Sequence, residues 1–457
     1  MSSIILSALW GVVMMFSGIF LKKKSLAKYI AVLGMVALLT VNFLEYYNIW
    51  YIYADIGQML KFTSFGQIFN ATAFACTLLF FLLNAREFEA IGPDVYDYYA
   101  LIFFVLCGVG IAVSFNTLLM LFLGIEIITI PLYILAGSDK RNLKSNEASL
   151  KYFLMGVFST GIMLMGIAFL YGATGTFYIE SMNLGIAALQ PMMVIGIVLL
   201  MAAMSFKVSA APFHFWVPDV YDGAPTAVTS FMATIVKVAS FVAFLHLFDN
   251  AFGKMHAQWQ LLIALLTAAT LFIGNITAVF QQSVKRMLAY SSVAHAGFMM
   301  FALFGLNTFA REGLILYTAA YSLATIGSFA VLAKMKDFSL EGFNGLGKTQ
   351  PLLALTNTIF LLSLTGIPLT AGFFAKYYML MGAVKSGNHL WLVIFAVLMA
   401  AVSAYYYFRV IQSMYFKEGN AQITPVSPVF RITLCITAAL IILLGMFPHL
   451  LLKGLYY

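Results

Sequence analysis

The stretch FKVSAAPFHFWVPDVYDGAPTAV, residues 206–228, places a lysine at the end of an apolar run and a proline shortly after it. Residues 192–206 carry no charged side chain, so Lys207 closes a segment suited to a membrane interior. A lysine there is either expelled to water or held by a buried partner, because an unpaired ammonium in hydrocarbon is costly. Pro212 lacks the backbone N–H that a continuous helix needs. The stretch therefore predicts a broken helix with a charge near the break.

Composition places the whole chain in a membrane. Of its 457 residues, 63% are hydrophobic and only 9% are charged, whereas a soluble domain carries roughly 25% charged residues. Apolar runs that can cross a hydrocarbon core of about 30 Å recur along the chain, and they predict an all-α polytopic protein with about fourteen transmembrane helices. The predicted spans are 4–21, 26–44, 64–83, 98–115, 117–136, 148–171, 190–213, 224–248, 259–280, 286–305, 312–333, 351–384, 390–415 and 430–450.

The distribution of basic residues predicts the orientation. Most lysines and arginines follow odd-numbered spans, as Lys144 and Arg286 do, whereas few, such as Lys254 and Lys453, lie on the other side. The positive-inside rule then puts both termini outside. The net charge of +8 reflects this topology and attraction to anionic lipid, and nucleic acid is excluded as a partner because no basic domain stands clear of the membrane.

A few ionisable residues remain inside the predicted spans. Glu126 is the only acidic residue that lies well within one of them. Four lysines cost roughly 2.5–3.5 kcal/mol each on insertion scales, so together they oppose insertion by about 10 kcal/mol and indicate a function. The predicted site residues are Glu126, Lys151, Lys207, Lys237, His295 and Lys376.

A structural role is an alternative for three of these residues. Lys151 opens its span beside Glu147, which is also typical of an interfacial anchor. His295 is also consistent with a core histidine bonded to a backbone carbonyl. Glu126 also fits a group that only neutralises a lysine. Lys237 is different, because it lies too deep in the run 227–248 for its stem to reach water.

The sequence offers no cofactor or metal site. The three cysteines, Cys76, Cys107 and Cys435, are far apart and lie within apolar spans, so they lack the spacing of a metal or iron-sulfur site. The glycine-containing run GVGIAV after Cys107 lies inside an apolar span and not at a strand-to-helix turn, so it does not indicate nucleotide binding. We therefore predict that the chain binds no cofactor.

Two spans are interrupted by proline. Pro212 breaks the seventh span, and Pro368 breaks the segment 351–384, which is longer than one crossing needs. Lys207 lies about 25 Å along its helix from Gln190, so it reaches mid-membrane only if the chain continues the crossing after the break. Broken helices at corresponding places in two halves are typical of inverted-repeat transporters. The predicted division is a three-helix segment at 1–97, five-helix repeats at 98–250 and 251–416, and a C-terminal helix at 417–457.

Four stretches of the sequence carry family motifs. They are KVSAAPFHFWVPDVYDGAPTAVTSF, VKRMLAYSSVAHAGF, LTGIPLTAGFFAKYY and the sixth-span run SNEASLKYFLMGVFSTGIMLMGIAFLYGATGTF. With these motifs the chain resembles the antiporter-like membrane subunits of respiratory complex I, and among them NADH-quinone oxidoreductase subunit N. In the sister subunit M the charged residue of the twelfth span is usually glutamate, whereas here it is Lys376.

The resemblance implies a proton-translocating role without redox chemistry in this chain. Glu126 would pair with Lys207, and Lys151 would tune that pair. Lys237 would be the central relay, His295 would bridge the two halves, and Lys376 would pass the proton outward. Quinone reduction elsewhere in the complex would supply the energy. Quinone would therefore be a partner of this chain only indirectly, through the complex.

The implied partners are a neighbouring antiporter-like subunit, small membrane subunits and lipids. The implied location is the bacterial inner membrane, with both termini on the periplasmic side. Two other classes remain open. A free-standing or multi-subunit cation/proton antiporter would use the same charged axis, but we would expect more than one intramembrane carboxylate. A scaffold subunit with vestigial charges is the other alternative.

Overall fold

The computed structural model describes residues 1–21, 23–52, 56–182, 190–387 and 389–456. Within these ranges the regular structure is helical, apart from isolated β-bridges. Helices are the expected form, because a segment in hydrocarbon must satisfy its backbone hydrogen bonds internally. Side chains at several helix starts accept a hydrogen bond from the first turn and so fix the boundary. These capping residues include Thr63, Thr117, Ser283, Asn307 and Ser427.

The helices fall into an N-terminal segment, two larger units and a C-terminal segment. The N-terminal helices are α1 (Ser2–Phe20), α2 (Lys24–Tyr46) and α3 (Ser64–Ile91). The first unit contains α4 (Val95–Ser114), α5 (Leu118–Ala136), α6 (Leu143–Thr174), α7 (Pro191–Lys207), α8 (Trp216–Gly223), α9 (Thr226–Phe231) and α10 (Lys237–Phe252). The second contains α11 (His256–Val279), α12 (Val284–Met299), α13 (Phe301–Gly305), α14 (Thr308–Lys334), α15 (Leu346–Thr349), α16 (Pro351–Thr365), α17 (Ala371–Ser386) and α18 (Leu390–Phe416). The C-terminal helices are α19 (Pro428–Met446) and α20 (His449–Leu452).

The membrane crossings agree with the predicted fold class. Among the described residues, 11 helices are long and apolar enough to cross a membrane, and one of these stretches, Thr226–Val279, holds two successive crossings. The shorter helices α7 and α16 are the first halves of the two broken crossings, which α8 and α17 continue. The prediction of a polytopic all-α protein with two broken helices is confirmed.

The two units share one packing pattern. The first helix of each unit packs along the second, as α4 does with α5 and α11 with α12. The third membrane crossing of each unit, α6 or α14, packs against both halves of the broken helix in its own unit. Because each unit makes an odd number of crossings, the second unit runs in the opposite direction to the first.

Glycine lets the paired helices approach closely in both units. A Cβ atom on Gly124 would lie 2.8 Å from the backbone nitrogen of Ala112, and one on Gly274 would lie 2.5 Å from that of Ala294. Helices within a membrane gain no hydrophobic driving force for association. Small residues at such crossings instead allow close van der Waals packing. The contact in the first unit fixes α5, and therefore Glu126, against α4.

The first break is stabilised by neighbouring protein groups. After α7 the backbone turns through Ser209, whose φ is 66°. The backbone N–H of Ala211 donates to Thr270 Oγ1 at 2.9 Å, and Trp216 Nε1 donates to the carbonyl of Phe206 at 3.2 Å. Irregular backbone at membrane depth requires such partners. The break is therefore a built feature of the fold.

Helix α14 forms the centre of the molecule. The whole apolar window of this helix is buried, and it packs against α3, α16, α17 and α19. Helix α1, in contrast, has only 22% of its window buried and lies at the periphery. Polar groups within this window are thus enclosed by protein.

Candidate functional site

Glu126 and Lys207 meet at the end of α7. Lys207 Nζ lies 3.8 Å from Glu126 Oε1, and the lysine side chain is 5% exposed while the glutamate side chain is 19% exposed. This separation is longer than a hydrogen bond, although it is within ion-pair distance. The structure brings together the two residues that the family resemblance pairs, and the glutamate is the more exposed of the two.

Thr160 on α6 lies between these two charges. Its hydroxyl Oγ1 donates to Glu126 Oε1 at 2.7 Å, and the same Thr160 Oγ1 accepts from Lys207 Nζ at 3.4 Å. Thr129 Oγ1 also lies 3.5 Å from Glu126 Oε1. Sequence reasoning missed Thr160, because a threonine inside an apolar helix gives no signal until the facing helices are known.

Lys237 is enclosed among neutral groups. Lys237 is the first residue after the π-helical turn Met232–Val236, and it is 1% exposed. Its Nζ donates to the carbonyl and to the hydroxyl of Ser292, at 3.0 and 2.9 Å, and lies 5.6 Å from the ring centre of Tyr221. Within the described ranges no carboxylate forms an ion pair with this amine. π-Helical turns occur frequently at functional sites.

His295 is held by two tyrosines. Its Nδ1 lies 2.6 Å from the Tyr317 hydroxyl and its Nε2 lies 3.1 Å from the Tyr407 hydroxyl. The Tyr407 hydroxyl also forms a short hydrogen bond with Ser291. A hydroxyl can donate or accept, so both ring nitrogens have partners that can exchange a proton. The alternative of a histidine bonded to a backbone carbonyl does not describe these contacts.

Ser292 lies one helical turn before His295. Ser292 and His295 are three residues apart on α12 and therefore share one face of the helix. The sequence contains a signal for this pair, because SSVAH spaces two polar side chains one helical turn apart. The hydroxyl that accepts from Lys237 donates to the carbonyl of Ala289 at 2.7 Å.

Lys376 reaches back across the second break. Its Nζ donates to the carbonyls of Leu364 and Thr365, at 2.9 and 2.7 Å, and lies 4.6 Å from the ring centre of Phe298. A cavity of about 10 Å³ separates Lys376 from His295, a volume near the lower limit for one water molecule. His295 and Lys376 therefore face the same small space.

The two breaks place an amine in equivalent positions. Lys207 is the last residue of α7, whereas Lys376 lies on α17 but bonds to the last carbonyls of α16. The C-terminal end of a helix has unpaired carbonyls and partial negative charge, so it stabilises a cation. The two lysines do not align when the sequences of the two breaks are compared. In the structure, however, Lys207 lies at the end of α7 and the Lys376 amine lies at the end of α16.

Lys151 lies in a different environment. Its side chain is 43% exposed, and its Nζ lies 2.8 Å from Glu147 Oε1 and 2.9 Å from Asp219 Oδ2. Arg286 Nη1 lies 3.4 Å from the other oxygen of Asp219. Lys151 precedes Thr160 on α6 by about 13 Å of helical rise. The structure does not bring Lys151 to the Glu126 pair, and its contacts fit the alternative of an interfacial ion pair.

Two further lysines are buried outside the predicted site. Lys285 Nζ donates to the carbonyls of Asp222 and Ala224, at 2.7 Å each, and so holds the link between α8 and α9. Lys334 Nζ lies 2.5 Å from Glu87 Oε1. In the sequence both lysines lie at the ends of predicted spans, where solvent exposure is expected. The packing of α12 and α14 encloses them in the structure.

The described part of the chain offers no metal site. Within it, no group of three or more His, Cys, Asp or Glu side chains is placed to hold a metal ion. Cys76 and Cys107 are buried and Cys435 is exposed, and none of them is paired. The chemistry that the site supports is proton exchange between amines, imidazole and hydroxyls.

The fold and the buried residues define a class of polytopic membrane proteins that resemble proton antiporters. Residues 116–403 match the family described as "NADH:quinone oxidoreductase/Mrp antiporter, TM", and this range includes both breaks and all six predicted site residues. The chain belongs to this family, and several of its relatives are named NADH-quinone oxidoreductase subunit N.

Relatives with this name match over their full length. The chain is 42% identical to NADH-quinone oxidoreductase subunit N of Cytophaga hutchinsonii, with 99% of each chain covered. It is 37% identical to the subunit N of Flavobacterium psychrophilum, with 99% of this chain and 100% of the relative covered. The predicted family is therefore confirmed.

Solved structures share the fold. A chain of respiratory complex I from Thermus thermophilus with bound aureothin is 32% identical, with a TM-score of 0.85 and coverage of 99% of this chain and 98% of that one. A chain of the Mrp complex from Dietzia has a TM-score of 0.87 over 99% of this chain and 95% of that one, but it is only 17% identical and supports the fold alone. These neighbours are subunits of membrane complexes, as the predicted partners require.

Proposed function

We propose that this chain is a subunit of an NADH-quinone oxidoreductase that moves protons across the membrane, driven by quinone reduction elsewhere in the complex. The observation that carries the proposal is the series of buried groups from Lys237 through Ser292 and His295 to Lys376. Ionisable groups inside a membrane protein are costly and mark ion or proton pathways.

The Glu126–Lys207 pair is the proposed switch. A nearby carboxylate stabilises the protonated form of a buried amine, whereas burial alone destabilises it. At 3.8 Å the two groups interact without a direct hydrogen bond, so a small displacement of α5 or α7 changes how strongly Lys207 holds its proton. When the pair opens, Lys207 releases a proton toward Lys237 through water.

Lys237 is the proposed central relay. Because its contacts are to neutral oxygens, it loses its proton without leaving an unpaired carboxylate beside it. The Ser292 hydroxyl both accepts from the amine and lies one turn from His295, so the proton passes along α12. Tyr317 and Tyr407 orient the imidazole at both nitrogens.

Lys376 is the proposed group that passes the proton outward. Its amine is bonded to carbonyls at the break of α16 and α17, and these free carbonyls favour the protonated form without a carboxylate beside it, so the amine can still release the proton. In this proposal the membrane is the bacterial inner membrane, both termini lie on the periplasmic side, and the repeat boundaries are those given by residues 98–250 and 251–416.

The experiment measures proton translocation per quinone reduced in an otherwise intact complex that carries Lys237→Ala or Glu126→Ala. We expect translocation to fall about tenfold or more, because each change removes a proton-exchanging group from a buried pathway. Lys417→Ala is the matched control, because Lys417 is exposed after α18. Normal translocation in both site variants would show that the relay assignment is wrong.

A further inference from the structure

Thr160 is half-buried, and its contact pattern differs from that of the buried Thr77. Its Oγ1 lies 2.7 Å from Glu126 Oε1, 3.0 Å from the carbonyl oxygen of Gly156 and 3.4 Å from Lys207 Nζ. Thr77, in contrast, donates only to the carbonyl of Ala73 on its own helix, at 2.8 Å. The contact of Thr160 with the carboxylate is shorter than its own helical contact.

We propose that Thr160 is a positioning residue that sets the closed and open states of the Glu126–Lys207 pair through the direction of its hydroxyl hydrogen. This inference rests on the proposed function of the pair.

A hydroxyl carries a single hydrogen, and this imposes a choice. The hydrogen points either to Glu126 or to the carbonyl of Gly156, since both oxygens are acceptors. Protonated Lys207 can only donate, so in this form it takes a lone pair of Oγ1. Both acceptors already lie within hydrogen-bond distance, and therefore the choice needs only a rotation about the C–O bond.

Each direction favours one state of the pair. With the hydrogen on Glu126, the hydroxyl joins the carboxylate and the ammonium in one hydrogen-bonded chain, which keeps both groups charged and close. With the hydrogen on Gly156, a lone pair of Oγ1 faces the carboxylate and repels it. The second arrangement loosens Glu126 from Lys207, whose contact with Thr160 Oγ1 remains.

The experiment compares Thr160→Val and Thr160→Ser in the intact complex. Valine keeps the shape of threonine but has no hydroxyl, whereas serine keeps the hydroxyl. We expect Thr160→Val to lower proton translocation per quinone reduced about tenfold, because a hydrogen bond to a charged group is lost, while complex assembly stays normal. Thr160→Ser should restore translocation to near the wild-type value, and the matched control Thr77→Val should leave it unchanged.

Two further measurements separate this inference from the proposed function. The infrared carboxylate band of Glu126, identified by its loss in Glu126→Gln, should shift in Thr160→Val and not in Thr160→Ser, whether or not the chain pumps. The variant that combines Glu126→Gln with Thr160→Val should translocate no less than Glu126→Gln alone, because Thr160 acts through Glu126.

Three results would overturn the inference. These are a Thr160→Val variant that translocates like Thr77→Val, a serine variant as impaired as the valine variant, and losses that add in the double variant. If Glu126→Gln itself translocates normally while the infrared band shifts as expected, the function proposed for the pair fails and the hydroxyl contact stands.

Discussion

At the scale of single residues, the partners of each lysine separate two roles. Lys237 and Lys376 bond only to hydroxyl or carbonyl oxygens among the described contacts, whereas Lys151 lies between two carboxylates and is partly exposed. An amine between two carboxylates is stabilised in its charged form, but an amine bonded to neutral oxygens can exist in either form. The first two lysines therefore fit proton transfer better than Lys151 does.

Lys207→Arg tests whether this residue releases a proton. Arginine keeps the positive charge beside Glu126 but does not deprotonate in a protein. We expect the complex to assemble and to retain quinone reductase activity, while proton translocation falls about tenfold or more because the amine no longer exchanges its proton. Translocation and electron transfer would be measured on the same vesicles. Unaltered translocation would mean that Lys207 is a structural charge.

At the scale of helices, the two breaks decide where the amines lie. A continuous helix has no free carbonyl along its length, but α7 and α16 end inside the protein and expose theirs. Gly366, with a φ of 89°, lets the chain leave α16 beside the Lys376 side chain. The break in the second unit is thus shaped by backbone that only glycine adopts easily.

Gly372→Ala tests the second break. A Cβ atom at Gly372 would lie 1.8 Å from the carbonyl oxygen of Ser363, so the start of α17 must shift away from α16. Overpacking of this kind costs about 1–3 kcal/mol. We expect a lower melting temperature for the purified complex and reduced translocation, because the shift moves Lys376 away from its carbonyl partners.

Gly161→Ala is the control for this change. Gly161 also lies in a helix, but a Cβ atom there would meet no atom within 4 Å. The complex that carries Gly161→Ala should have the same melting temperature and the same proton translocation as the unmodified complex. A Gly372→Ala variant that behaves like this control would show that the break tolerates a displaced α17.

At the scale of the whole molecule, the proposed path crosses from one unit to the other. Lys237 belongs to the first unit and bonds to Ser292 in the second. At the molecular surface, Asp219 of the first unit pairs with Arg286 of the second. Relative movement of the units would therefore change contacts at the proposed relay. An interface that can take up two arrangements is a physical basis for coupling between sites.

The predicted orientation can be tested with single cysteines in intact cells. The chain would carry Cys435→Ser, because Cys435 is the exposed native cysteine, together with either Lys453→Cys or Lys140→Cys. Both lysines are exposed at the surface. A thiol reagent that does not cross the membrane should label the first variant fully and the second only after the cells are opened, as the positive-inside rule requires. The reverse labelling would invert the assigned orientation.

The prediction of the fold from sequence succeeded where the signal is local. The membrane environment follows from the low charge content, and the broken crossings follow from Pro212 and Pro368 within apolar runs. Glu126 and Lys207 were paired because the resemblance to the family implied it, and the structure places them 3.8 Å apart. The role given to Lys151 shows the limit, since its neighbours in space are Glu147 and Asp219.

The sequence by itself determined that this chain lies in a membrane and where its helices break, because the apolar length of a segment and the missing N–H of a proline are properties of that segment alone. Only the tertiary structure decided which groups meet: Thr160 beside Glu126, Ser292 beside Lys237 and two tyrosines around His295. These contacts join residues from different helices, and their existence depends on the rotation and crossing of each helix against its neighbours.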